Sequence, residues 1–216
     1  MIEIIPTNTC PPTREEMLRR AGTMESFSQW MQLDVSDGAF TPELSYPYRA
    51  PGVYDMPSLE GVALFTEIHL MVATPLAIGV SFAEAGARRI LGHIEAFSNA
   101  TEAIVALEAW KEAGAEAGLA RLLDTPLEVI EPLIPRCDAI QLMAIAQIGK
   151  QGFSFEPRSI DKVRALHTNF PDVTIGVDGG VSEDNIADLV RAGATRFGVG
   201  SAILKKDDPV SAYHSL

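Results

Sequence analysis

The sequence is poor in cysteine, in positive charge and in long apolar runs. Its two cysteines, Cys10 and Cys137, give neither a disulfide framework nor a metal-type spacing, so both are read as free thiols. Seventeen Lys and Arg against 29 Asp and Glu leave a formal net charge of −12, which excludes a general nucleic-acid binder and adhesion to an anionic membrane. The same deficit opposes a phosphorylated ligand unless backbone donors or an ion make its site locally positive. No apolar run is long enough to span a bilayer. The first residues, Met1-Ile2-Glu3-Ile4-Ile5-Pro6, lack a basic segment and a signal-type apolar stretch, so a cytoplasmic protein is expected. There is no domain linker and no low-complexity tract, and one domain over residues 1–216 is expected.

Short strand-like runs alternate with amphipathic stretches almost throughout. Strands are predicted at 3–7, 31–36, 67–72, 89–94, 118–122, 139–145, 174–177 and 196–199. Helices are predicted at 13–21, 75–85, 101–113, 126–134, 159–167, 183–192 and 210–213, each followed by Gly, Pro or a short polar turn. Eight strands alternating with helices point to a (β/α)8 barrel. An open doubly wound sheet would carry a Gly-rich fingerprint after its first strand, and Ile5-Pro6-Thr7-Asn8-Thr9 is not one. Residues 38–61, with Pro42, Pro47, Pro51 and Pro57, read as a long irregular loop near the barrel mouth.

The chemistry is expected at the strand ends. Gly176-Val177-Asp178-Gly179-Gly180-Val181 ends a strand on Asp and runs into two glycines, and Gly198-Val199-Gly200-Ser201 ends the last strand. Two Gly-rich turns in succession suit a phosphate cradle at the carboxyl end of a barrel. In the second strand Gln32 and Asp34 share one face by period-two alternation, and Ser36 continues it. Asp34 lies between Leu33 and Val35, where an unpaired buried carboxylate is costly, so a function is read for it. Asp34, His69 and Asp178 would converge from three strands. His69 and His93 read equally as satisfied barrel histidines or as site residues. Asp37-Gly38 reads as a turn. Met71 and Met143 fill core space or line the pocket, and His167 and His214 receive no role.

The runs LDVSDGAF, EIHLMV, GHIE, DTPLEVIEPL, GVDGGVSEDN and VGSAIL stand in an order and at a spacing that resembles the ribulose-phosphate 3-epimerases, over nearly the whole chain. The resemblance implies a (β/α)8 barrel that epimerises C3 of a ketopentose 5-phosphate. It implies a divalent metal, Zn²⁺ or Fe²⁺, held by two Asp and two His. It places the acid/base carboxylates at Asp34 and Asp178, a metal-binding imidazole at His69, and the phosphate at Gly179, Gly180, Gly200 and Ser201. Relatives of this kind associate as dimers or larger rings, so a homo-oligomer is expected.

The chain departs from that pattern at four places. Gln32 stands where the family has a metal-binding His, and its amide oxygen favours Mg²⁺ or Mn²⁺, or leaves the site without metal. Cys10 is assigned to the place of a substrate-contacting Ser on the first strand. The Gly-rich loop after the sixth strand reads Gln147-Ile148-Gly149-Lys150-Gln151-Gly152-Phe153, so Gly152 remains for the phosphate. Lys150 there reads equally as a phosphate contact or a solvated loop lysine. Ser36 replaces a Met between the two aspartates. A sugar-phosphate 3-epimerase is the leading expectation. A phosphosugar-binding paralogue without the standard metal site is the alternative. Lyase and synthase relatives use an Asp-x-Lys-x-x-Asp array that this sequence lacks.

Overall fold

Eight parallel strands close on themselves in the order β1 (Glu3–Asn8), β10 (Arg196–Val199), β9 (Ile175–Asp178), β8 (Ala139–Met143), β7 (Glu116–Arg121), β6 (Arg89–His93), β5 (Phe65–Met71) and β2 (Trp30–Ser36). The computed structural model describes residues 2–150 and 152–216; Met1 and Gln151, the latter inside the 147–153 loop, lie outside the described residues. The closed barrel is the (β/α)8 architecture that the alternation of patterns predicts. Among the described residues no helix is long and apolar enough to cross a membrane.

The helices form where caps and apolar spacing agree. Thr13 caps α1 (Arg14–Met24) by accepting the Glu16 N–H, and α1 buries Met17, Ala21 and Met24 at intervals of three to four. Pro75 opens α2 (Pro75–Glu84), and Asn99 caps α3 (Ala100–Glu112) through the Glu102 N–H. Further along are α4 (Arg158–Asn169), α5 (Ile186–Ala192), α6 (Ser201–Leu204) and α7 (Pro209–His214). The helix predicted over 126–134 is instead two 3₁₀ turns, Leu127–Val129 and Glu131–Arg136. Pro132 and Pro135 remove the N–H groups that an α-helix would need there. The helix predicted from 183 begins at Ile186, because Asn185 instead accepts the Ser182 N–H and donates to the Gly180 carbonyl.

No helix joins β2 to β5. The intervening loop holds a small hairpin, β3 (Tyr48–Ala50) with β4 (Val53–Tyr54), and an isolated bridge between Asp37 and Leu44. Asp37 fixes the turn predicted there: one carboxylate oxygen accepts the Ala39 and Phe40 N–H groups at 2.9 Å, and the other accepts that of Ala73 at 2.7 Å. The Ser36 hydroxyl bonds the Thr41 hydroxyl and the Glu43 carbonyl, tying the loop to the end of β2.

The opposite end of the barrel is closed by charge. Arg89, buried at the start of β6, pairs with buried Glu67 and with Glu116 at 2.7 Å, while its guanidinium lies 4.7 Å from the Trp30 ring. Arg196 joins Glu3 at 2.7 Å, linking the last barrel strand to the first.

Trp110 is fully buried in a slot made by two glycines. A Cβ on Gly79 of α2 would come within 2.2 Å of the indole Nε1, and one on Gly92 of β6 within 2.6 Å of Cη2. The indole N–H donates to the Leu76 carbonyl at 3.1 Å, so the ring has little freedom to retreat. Gly92→Ala is therefore expected to destabilise the barrel by about 1–3 kcal/mol, read from urea unfolding. A change under about 0.5 kcal/mol would mean that the slot yields.

Candidate active site

Strand register brings the polar residues together at the carboxyl ends. Thr7 pairs with Gln32, Asp34 with His69, Met143 with Asp178, and Asp178 with Gly198. Ligand atoms of Asp34, His69 and Asp178 all lie within 4.8 Å of one another, and all three residues are buried. The His69 Nδ1 stands 3.1 Å from Asp34 Oδ1 and 3.5 Å from Asp178 Oδ2. Gln32, wholly buried, donates from Nε2 to Asp34 Oδ1 at 2.9 Å and to Asp178 Oδ2 at 2.7 Å. Gln141 adds a longer bond of 3.3 Å to Asp178 Oδ2.

Behind His69 runs a hydrogen-bonded chain. Its Nε2 is 2.9 Å from His93 Nε2, and His93 Nδ1 is 3.2 Å from Glu95 Oε2. Glu95 in turn accepts the Leu122 N–H at 2.8 Å and the Thr125 hydroxyl. The Phe40 ring lies 5.1 Å from that of His93 and covers it.

Burial opposes a charge on His69, but the hydrogen bond and charge of Asp34, with the charge of Asp178, outweigh it and raise its pKa. Burial lowers the pKa of His93 to about 4, against the pull of Glu95 and with the repulsion of His69. These directions fit one proton arrangement: His69 donates at both nitrogens, and a neutral His93 accepts at Nε2 and donates from Nδ1 to Glu95.

Asp178 is pushed up to about 7 by burial and then by the charge of Asp34, with His69 and Gln32 opposing. A carboxyl raised in the folded state contributes stability below its unfolded value near 4, and that contribution is lost as pH rises through the folded value. In chelator-treated protein the melting temperature should therefore fall between about pH 4 and pH 7, whereas Asp178→Asn has no such proton to lose. The difference between the two should grow with pH in favour of the variant, by roughly 2–4 °C per kcal/mol for a chain of this size. His93 acts in the opposite sense as pH falls below about 6.5, in both proteins alike, so the difference curve isolates Asp178. Parallel profiles would take the proton away from Asp178.

Asp34, His69 and Asp178 open on a cleft of about 520 Å³, counting the space at its mouth. Its walls include Met71 and Met143, and Gly152, Gly179, Gly180, Gly200 and Ser201 line it as well. Gly179 and Gly180 have φ of 103° and 68°, and a Cβ on either would strike Ile145 or the Phe155 backbone at 2.6–2.7 Å. Only glycine fits that turn. Cys10 does not line this cleft but an adjoining one. Thr7 lines it, buried, with a hydroxyl that has no partner among the described residues. Thr7 is thus the β1 hydroxyl at the site. Period-two alternation from Ile5 could have found it, since Thr7 points inward and Cys10 follows the strand's end.

The donor set fits a divalent cation. Two carboxylates and an imidazole converge, and the Gln32 Oε1 is buried without a partner among the described residues. A half-turn of the amide exchanges its nitrogen for that oxygen, so Gln32 can serve as a bridge between carboxylates or as an oxygen ligand.

Residues 15–204 match the model of the "Ribulose-phosphate 3 epimerase family". The chain belongs to this family. The ribulose-phosphate 3-epimerase of Chlamydia muridarum (strain MoPn / Nigg) is 34% identical over 189 residues, covering 85% of this chain and 79% of the relative. That of Mycobacterium bovis (strain ATCC BAA-935 / AF2122/97) is 32% identical over 197 residues, covering 88% and 81%. Among solved structures, a 3-hexulose-6-phosphate synthase superposes with a TM-score of 0.64 at 15% identity, over 100% of this chain and 98% of that one. A mutant tryptophan synthase α-subunit from Pyrococcus furiosus gives 0.66 at 16%, over 100% and 96%. At that identity the superpositions show the fold alone. Gln32 sits at the centre of the site, bonded to both carboxylates.

Proposed function

We propose that the protein epimerises C3 of a ketose phosphate, ribulose 5-phosphate/xylulose 5-phosphate or a related sugar, by proton transfer between two carboxylates through an enediolate. The observation that carries this reading is the meeting of Asp34 from β2 and Asp178 from β9 beside His69 in one cleft. Inverting one carbon requires an acid/base group on each face of the substrate. One carboxylate removes the C3 proton while the other, already protonated, returns one to the opposite face, and the roles exchange in reverse. A positioned acid or base of this kind contributes roughly 10²–10⁴-fold. The raised pKa of Asp178 supports a site that holds one such proton near neutrality.

Asp34, His69, Asp178 and the Gln32 oxygen would hold the divalent cation: Zn²⁺ or Fe²⁺ by membership of the family, Mn²⁺ or Mg²⁺ by the hardness of the amide oxygen. When bound, it supplies Lewis-acid polarisation of the ketone, on the order of several kcal/mol. His93 and Glu95 orient His69. Gly179, Gly180, Gly200, Ser201 and Gly152 would receive the phosphate, Thr7 a substrate hydroxyl, and Met71 and Met143 would keep water from the reacting carbon. We further propose a cytoplasmic homo-oligomer.

The test is deuterium incorporation at C3 from heavy water, with purified protein, each divalent metal in turn and ketopentose or ketohexose phosphates. No incorporation into any of them defeats the proposal. The Gln32 bridge favours one second reading, a phosphosugar-binding protein without metal. Metal analysis separates the two: protein that stays metal-free after incubation with Zn²⁺, Fe²⁺ or Mn²⁺ supports the second.

A further inference from the structure

A second cavity adjoins the catalytic cleft and shares Thr7, Thr9, Gly149 and Lys150 with it. Its outer wall carries Arg19 and Arg20 of α1 and Lys205 just beyond α6. Four of the chain's 17 Lys and Arg therefore line one hollow of a protein whose net charge is −12. Their counter-charges are fewer. Glu16 serves both arginines at 2.7 Å, and Glu43, which also lines the cavity, pairs with Lys150 at 2.7 Å. Lys205 has no ion-pair partner among the described residues. Four cations thus meet two ion-pairing carboxylates, with Asp34 and Asp178 in the adjoining cleft.

The placement is held by backbone. Arg20 Nη1 donates to the Thr9 carbonyl at 2.8 Å, fixing one guanidinium beside the end of β1. Next to it Cys10 takes φ of 41°, in the left-handed region that a side chain rarely enters. Lys150 comes from the 147–153 loop, at the boundary between the two hollows. A cleft whose lining is richer in cations than in carboxylates attracts an anionic ligand, and Arg and Lys are the side chains suited to phosphate or carboxylate oxygens.

We propose that this cavity binds a second anionic group carried by the substrate, a phosphate or carboxylate, so that the sugar acted on carries two anions. The inference rests on the epimerase reading for its catalytic half. One anion would lie at the glycine turns and the other among Arg19, Arg20, Lys150 and Lys205, with the reacting carbon between Asp34 and Asp178.

The experiment compares ribulose 5-phosphate with ribulose 1,5-bisphosphate by calorimetric titration at fixed ionic strength, in wild type, Arg19→Ala and Lys205→Ala. The bisphosphate is expected to bind tighter by roughly tenfold or more, an advantage that shrinks with added salt and falls severalfold in each variant. Equal affinities, or an advantage untouched by both substitutions, overturns the proposal. So does inorganic phosphate binding among these cations while the two sugars bind alike. Deuterium incorporation at C3 of ribulose 5-phosphate is followed alongside. Incorporation without a bisphosphate advantage removes the second anion site and leaves the epimerase reading, whereas a bisphosphate advantage without incorporation on either sugar removes the catalytic reading alone.

Discussion

Asp178→Asn is expected to lower C3 deuterium incorporation by roughly 10⁴-fold or more, because the substitution removes an acid/base group and a metal-binding oxygen together. Asp34→Asn should do the same, since the two carboxylates face a single reacting carbon and neither can replace the other. The amide preserves shape and still accepts one hydrogen bond, so the barrel should persist. Stability provides the control. Both carboxylates are buried and share the Gln32 amide as donor. Removing one charge relieves their mutual repulsion, so the Asn variants should melt no lower than wild type at pH 8 when metal is withheld. A stable variant that keeps incorporation within tenfold of wild type would exclude that residue from proton transfer.

Gln32→His is expected to tighten Zn²⁺ or Fe²⁺ binding by about 10–100-fold, read by competition with a chromophoric chelator. Imidazole is the better ligand for these ions, whereas a neutral amide oxygen competes best for Mn²⁺ and Mg²⁺. The substitution also removes the NH₂ group that spans the two carboxylates, leaving their repulsion to be answered by the cation alone. Apo protein should therefore lose stability while metal-loaded protein gains it, and the gap in melting temperature between the two should widen. If Gln32→His binds Zn²⁺ no better than wild type, the residue is not what limits metal affinity, and the limit lies with the Asp34, His69 and Asp178 arrangement itself.

The parts legible in the sequence were those governed by local pattern. Alternation along β2 placed Gln32, Asp34 and Ser36 on one face, and a strand ending on Asp178 before two glycines marked the turn that only glycine can make. What escaped depended on distant partners. The sequence reading puts Cys10 at the substrate-contacting place of the first strand, yet Thr7 faces the cleft, because the strand's end decides which side chain still points inward. The sequence leaves His93 open between core and site; its bonds to His69 and Glu95 join three residues from two strand ends, and no spacing in the chain encodes that. One miss was local instead: the segment 126–134 carries prolines that break an α-helix into 3₁₀ turns. The hairpin within 38–61 relies on tyrosines 48 and 54, whose rings meet at 5.2 Å only once the turn has formed.

The closure of the barrel bears on how the chain is made. β1 has β2 on one side and β10 on the other, and Glu3 waits for Arg196. During synthesis from the N-terminus, one flank of β1 stays unpaired until residues 196–199 have been made and released for pairing. The Glu3 N–H, which donates to the Thr195 carbonyl at 2.8 Å, has no partner on that flank until then. The strand that must wait longest thereby keeps a row of donors and acceptors open to a stray strand from a neighbouring nascent chain.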